Sequence, residues 1–342
     1  MVTILVTNRN GFINYILFHL KAMKTIFRKP IKSISTMFGM ALSTATFLMS
    51  ACQPETQPVS PQNEAPTTSM EQSILEVSNH QPLYVFGTMH IESTSTRWPD
   101  VDKLLKFFKQ ATTLGAKTDG GRTTYMKWSV GADIGWLDGE KRANYLIQET
   151  EKLGVEWDIH AHNVTDRPKC YQKISALGGH PNHVCNGVKV DEIDKMRVPL
   201  TWGTTTWQAE VLLGFNVTGG HGPGSELFNV GIWRPKSSAE YKVHDAAANM
   251  ISVGGGTKQL DYAESLAASV ASKGPAVGIL SVGIMVHPDS LTVPSSGGKN
   301  ITDIKAWANR MASYEFVHWA TANQTAEAWR IKGASVPTRR DI

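Results

Sequence analysis

From Leu83 onwards, short apolar runs alternate with stretches whose apolar residues recur at helical spacing. Leu83-Tyr84-Val85-Phe86 is a buried-strand run that ends at Gly87-Thr88-Met89-His90. Pro99-Asp100 then opens a helix in which Val101, Leu104, Leu105, Phe108 and Ala111 share a face, with Gly115 as its stop. Ala116-Lys117-Thr118 reads as a second strand that delivers Asp119 to a loop. A further helix over residues 139–153 carries Ala143, Leu146, Ile147 and Thr150 on one face and stops at Gly154. Val155-Glu156-Trp157-Asp158-Ile159 is the third strand, ending at His160. This β-α-β-α-β order predicts an α/β fold with parallel strands and right-handed crossovers. In such folds the functional side chains gather at the carboxyl ends of the strands.

Residues 163–220 are less regular, rich in Gly, Pro, Asn and His, and read as an insertion with a helix near residues 207–213. Later strands are expected at 230–233, 250–253 and 277–286, with a helix at 262–272 before the last of these. A strand at 316–319 and a closing helix at 324–331 finish the pattern. With no internal repeat and no second boundary, residues 79–342 read as one domain.

The N-terminal 51 residues follow a different logic. Lys24, Arg28, Lys29 and Lys32 form a basic region, residues 36–48 are apolar, and Met49-Ser50-Ala51-Cys52 places small residues before a cysteine. The segment 1–51 resembles a bacterial lipoprotein signal, with residues 1–22 as an upstream extension and Cys52 as the lipidated thiol. The apolar run is too short for a comfortable membrane span. Residues 52–78, rich in Pro, Gln, Thr and Ser, read as a solvated tether. Gln53 stands where an inner-membrane retention signal has Asp, so the sorting rule implies an outer-membrane destination in the cell envelope. The formal charge of +4 falls to −2 once the six Lys/Arg of residues 1–51, unaccompanied by any Asp or Glu, are removed. No basic surface is left to suggest a nucleic-acid partner.

Candidate chemistry sits at strand ends. His90-Ile91-Glu92 and His160-Ala161-His162 each pair polar side chains at i and i+2, which an extended chain projects to one side. Three or four ligands can be aimed at one metal ion in this way. Trp233-Arg234-Pro235-Lys236 and Met285-Val286-His287-Pro288 are two further stations. Cys170 and Cys185, an even pair in one irregular stretch, suggest a disulfide closing a surface loop, with two buried free thiols as the alternative. Zinc ligation by them is disfavoured, since neither belongs to a CxxC pair.

In order and flavour these four stations resemble the motifs of the polysaccharide deacetylase (carbohydrate esterase) superfamily, over about residues 84–333. The resemblance implies a distorted (β/α) barrel holding a divalent metal, with zinc as the first choice. It places Glu92, His160 and His162 as metal ligands, His90 as base or further ligand, Arg234 as the orienting arginine, and His287 as the acid that protonates the leaving group. The family's second zinc histidine lies four residues after the first; here that position is Val164, and His162 is the nearest substitute, with Asp166 or His180 further off. The implied reaction removes acyl groups from a carbohydrate substrate. Trp98, Trp128, Trp202, Trp207 and Trp233 are candidate stacking surfaces for sugar rings, or simply core. The alternatives are a glycan-binding lipoprotein on a degenerate site, and a metal-dependent hydrolase of another bond.

Overall fold

The computed structural model describes residues 4–7, 13–16, 80–93, 100–119, 121–216, 230–257, 260–291, 300–333 and 337–340. Cys52, the basic and apolar parts of the signal reading, the tether and Trp98 lie outside the described residues. The chain divides into two compact units, Met1–Thr68 and Ser69–Ile342. In the first, β1 (Ile4–Thr7) and β2 (Ile13–Ile16) pair antiparallel.

The second unit begins with β3 (Leu83–Ile91) and α1 (Val101–Ala111). A small hairpin, β4 (Lys117–Asp119) and β5 (Arg122–Thr124), leads to β6 (Trp128–Ala132), α2 (Ile134–Gly139) and α3 (Ala143–Glu151). Then come β7 (Glu156–His160), α4 (Arg167–Ala176), β8 (Val184–Lys189) and α5 (Ile193–Met196). A second hairpin, β9 (Leu200–Trp202) and β10 (Thr205–Trp207), precedes β11 (Val211–Asn216) and β12 (Val230–Ile232). Two short strands, β13 (Ile251–Ser252) and β14 (Gly256–Thr257), are followed by α6 (Leu260–Lys273) and β15 (Leu280–Val286). The chain finishes with α7 (Ile301–Ala312), β16 (Val317–Trp319), α8 (Ala322–Gly333) and β17 (Thr338–Arg340).

Nine strands form one parallel sheet in the order β13-β11-β8-β7-β6-β3-β15-β14, with β16 paired to the first half of β3 and β6 to its second half. The two outermost strands, β13 and β14, are separated by only Val253, Gly254 and Gly255. Along that segment the Gly254 carbonyl accepts from Gly214 N on one side of the sheet (2.8 Å) and the Gly255 carbonyl from Gly283 N on the other (3.3 Å). The sheet is therefore curled until a single stretch of chain ties its edges together, which is compatible with a distorted barrel.

Curling gives every strand an inside and an outside. Along β3, Leu83, Val85, Met89 and Ile91 pack outward against the helices, while Tyr84 and Phe86 face an inner apolar cluster with Val211, Ile251 and Trp329. All nine residues of β3 are buried, which is why it reads as a continuous rather than an alternating run. The inner apolar cluster fills the amino-terminal end of the curl, leaving the carboxyl end to Thr88, His90 and Glu92 in the same alternation.

The expected caps are present. Asp100 accepts from Asp102 N (2.9 Å) and Lys103 N (3.0 Å) to start α1, and Gly154 takes φ +80° before β7.

Three expectations are corrected. Residues 117–119 belong to the β4–β5 hairpin; the parallel neighbour of β3 is β6, so Asp119 is not at a carboxyl end of the main sheet. Residues 207–213 form no helix but the end of β10 and the start of β11. The supposed insertion contributes α4, β8 and β11 to the sheet unit itself. The strand expected at 230–233 is present as β12, which pairs antiparallel with β17, while Trp233 after it bridges to Ser252 of β13.

Candidate metal centre

Five imidazole or carboxylate side chains converge at the carboxyl end of the curl: His90 and Glu92 from β3 and its end, His160 and His162 from β7 and its end, and His287 after β15. Glu92 is the hub. His160 Nε2 lies 3.6 Å from Glu92 Oε1, and His162 Nε2 lies 3.4 Å from Glu92 Oε2. Ligand atoms of Glu92, His160 and His162 lie within 4.8 Å of one another, as do those of His90, Glu92 and His287. All are buried except His162, whose side chain is 61 % exposed and marks the open side. Its pKa is raised, first by the hydrogen bond to Glu92, against the opposing effect of its partial burial.

The rings of His90 and His160 stack, with centroids 4.1 Å apart and planes 24° apart. One residue, Asn186 on β8, fixes both tautomers. Its side-chain amide donates to Thr88 Oγ1 (2.9 Å) and to Asp158 Oδ2 (3.2 Å), so Oδ1 is the acceptor facing His90 Nε2 at 2.6 Å. His90 therefore carries its proton on Nε2, and Nδ1 is its basic nitrogen. The Asn186 backbone carbonyl accepts from His160 Nδ1 at 2.8 Å, so Nε2 is the basic nitrogen of His160 and points toward Glu92. Among the described residues, His160 Nε2 is buried and has no hydrogen-bond partner. This is the arrangement of a metal-ligating histidine oriented by a carbonyl behind it.

Two glycines make room for the stack. A Cβ on Gly131 of β6 would lie 2.8 Å from His160 Cβ. A Cβ on Gly187 of β8 would lie 2.8 Å from His160 Nδ1 and 3.0 Å from His90 Cε1, and Gly187 adopts φ +77°. On the other side, Asp133 at the end of β6 accepts from Ser93 N (3.0 Å) and Ser93 Oγ (2.9 Å) and caps α2 through Trp136 N (2.8 Å). It thereby anchors the residue that follows Glu92.

Beneath the histidines lies a carboxyl pair on the inner face of β7. Glu156 accepts from Thr321 Oγ1 (2.6 Å), Ser129 Oγ (2.9 Å) and Asn323 N (3.2 Å). Asp158 accepts from the amides of Asn182 (3.0 Å) and Asn186 (3.2 Å). Burial raises the pKa of both, and the neighbouring Glu156 pushes Asp158 further up.

Arg234 does not join the cluster. Its guanidinium donates to the Ala248 carbonyl (2.5 Å) and lies over the Trp329 ring of the inner apolar cluster, at 5.7 Å from the centroid. The orienting role expected of it is not supported. The disulfide is not formed either: Cys170 and Cys185 are buried free thiols on α4 and β8. Cys170 Sγ donates to the His160 carbonyl (3.4 Å), while Cys185 Sγ accepts from Arg167 Nη1 (2.7 Å). The Cys170 thiol is thus partnered to β7 and the Cys185 thiol to α4. Among the candidate stacking tryptophans, Trp128, Trp207 and Trp233 are core. Trp202 is half-exposed and covered on one face by Lys169 Nζ at 4.3 Å.

Asn186, Asp133, Gly131 and Gly187 were not found from sequence. Asn186-Gly187, after the apolar pair Val184-Cys185, was the one strand-end signal available for them.

Fold and site together define a mixed α/β protein with a His/Glu cluster able to hold a metal ion at the carboxyl end of a curled parallel sheet. No protein-family model matches the chain, and no curated protein matches it.

Proposed function

We propose that the chain is a metal-dependent hydrolase that removes acyl groups from a carbohydrate, tethered to the cell envelope through Cys52. The observation that carries the metal-dependent part is the convergence of Glu92, His160 and His162, with a buried nitrogen of His160 facing Glu92 at 3.6 Å. The donor set of imidazole and carboxylate suits zinc and similar divalent ions. When bound, such an ion supplies Lewis acidity to a water and to an acyl carbonyl.

The chain's own residues do the rest. Asn186 holds His160 in the ligating tautomer and leaves His90 Nδ1 basic, able to accept a proton or a cation. His162, on the exposed side, marks the face from which substrate enters. The deacetylase resemblance gives the acyl-group and carbohydrate part of the reading, with His90 as base and His287 as acid. Ligand atoms of both lie within 4.8 Å of a Glu92 oxygen.

The test is acetate release from acetylated glycans by the zinc-loaded chain. Activity that disappears with chelator and in His160→Ala supports the reading. A chain that retains no divalent metal, or releases no acetate when loaded, overturns it in favour of glycan binding alone. Palmitate labelling abolished by Cys52→Ser is the expected result for the anchor.

A further inference from the structure

We infer that this cluster is built for two divalent cations bridged by Glu92, with His160 and His162 completing one site and His90 and His287 the other. The inference rests on the reading that Glu92, His160 and His162 hold an ion, and extends it.

The two donor triads share only Glu92, and within each the ligand atoms lie within 4.8 Å of one another. A single ion gathering all five residues conflicts with the stack of His90 on His160. A metal bound to imidazole lies close to the plane of the ring, at about 2.0–2.1 Å from nitrogen for zinc. Planes only 24° apart with centroids 4.1 Å apart meet far beyond that distance, so one ion cannot sit in both. The basic nitrogens of the two rings, Nδ1 of His90 and Nε2 of His160, therefore serve separate positions.

A carboxylate has one oxygen to offer each ion, and Glu92, 2 % exposed at the centre of the four histidines, is placed to do so. His287 reaches the His90 side, its ring edge-on to His90 with centroids 5.8 Å apart. Asn186 then acts on both sites at once, through its side chain to His90 and its backbone to His160. In this arrangement His90 and His287 are ligands, in place of the base and acid roles that the deacetylase resemblance implies for them.

The experiment is a manganese(II) titration of the full-length apo chain, reading bound metal per chain and the electron paramagnetic resonance signal. Two ions per chain with exchange-coupled spectra are expected. His287→Ala should then hold one ion with an uncoupled signal. His160→Ala should likewise lose one ion and the coupling. One ion per chain in the wild type, kept in His287→Ala and lost in His160→Ala, overturns the two-ion site and leaves the single-ion reading standing. Two ions without coupling overturn the Glu92 bridge. No bound ion, or a single ion that His160→Ala retains, overturns both readings. Wild-type stoichiometry decides the matter even where a variant fails to fold.

Discussion

Arg167 and Glu192 meet at 3.1 Å with the guanidinium wholly buried. The other arm of Arg167 points at Cys185 Sγ, so the arginine joins the start of α4 to β8 and to the turn after it. A buried pair of this kind is weak evidence for net stability, but breaking it is costly because one charge is left alone in the interior. Glu192→Ala should lower stability by about 3–5 kcal/mol, measured by urea unfolding. The double variant Arg167→Met/Glu192→Leu should recover most of that loss.

Asn186 offers a sharper test of the site. In Asn186→Ala the backbone bond to His160 Nδ1 survives, while the side-chain bond to His90 is lost. Metal affinity, measured by competition with a chelator, should fall about 10–100-fold, the usual scale for losing an outer partner of a ligand. Imidazole nitrogen resonances should show a changed tautomer for His90 and an unchanged one for His160.

Glu156 makes the stability depend on pH. Its carboxyl is held above its ordinary 4.5, chiefly by burial, with the bonds from Thr321, Asn323 and Ser129 pulling the other way. An acid whose pKa is raised by folding favours the native state while protonated. That contribution is fully present below 4.5 and is lost as pH rises from there through the raised value. Asp158, raised well above its usual range, acts with the same sign. Urea midpoints across this window should fall with rising pH in the wild type, and Glu156→Gln should flatten the slope.

The thiols give a fourth expectation. Burial pushes the Cys170 thiol up to about 12 and that of Cys185 to about 11. Thiolate is the reactive form, so neither should react with an aromatic disulfide reagent in the native protein. Both should react on unfolding, without reductant. A bridge recovered from protein exported to an oxidising compartment would contradict this.

The stations at His90, Glu92, His160 and His162 were legible because an i, i+2 pair at a strand end survives any uncertainty about the rest of the fold, and His287 because it closes an apolar strand run. Their partners were not. The strand β6 was hidden because Ser129 and Gly131 interrupt its apolar run, and Gly131 is small because His160 occupies the space its side chain would take. β8 contains Asn186-Gly187, a dipeptide that signals a turn; here the same two residues orient and accommodate the histidines. The apolar run at 211–213 is too short to distinguish strand from helix by periodicity, and only its pairing with β8 and β13 decides the matter. Arg234 shows the converse: a motif in the expected order whose side chain is used for packing.

The segment between β13 and β14 has a consequence for how the chain survives its own synthesis. A sheet edge is a ready template for pairing with another copy, and proteins that leave one bare are prone to aggregate. Here two edges are protected by one stretch of chain, whose neighbours on either side, β11 and β15, lie far apart in sequence. Displacing Gly254 and Gly255, whether in a chain not yet folded or in a damaged one, would expose two adhesive borders rather than one.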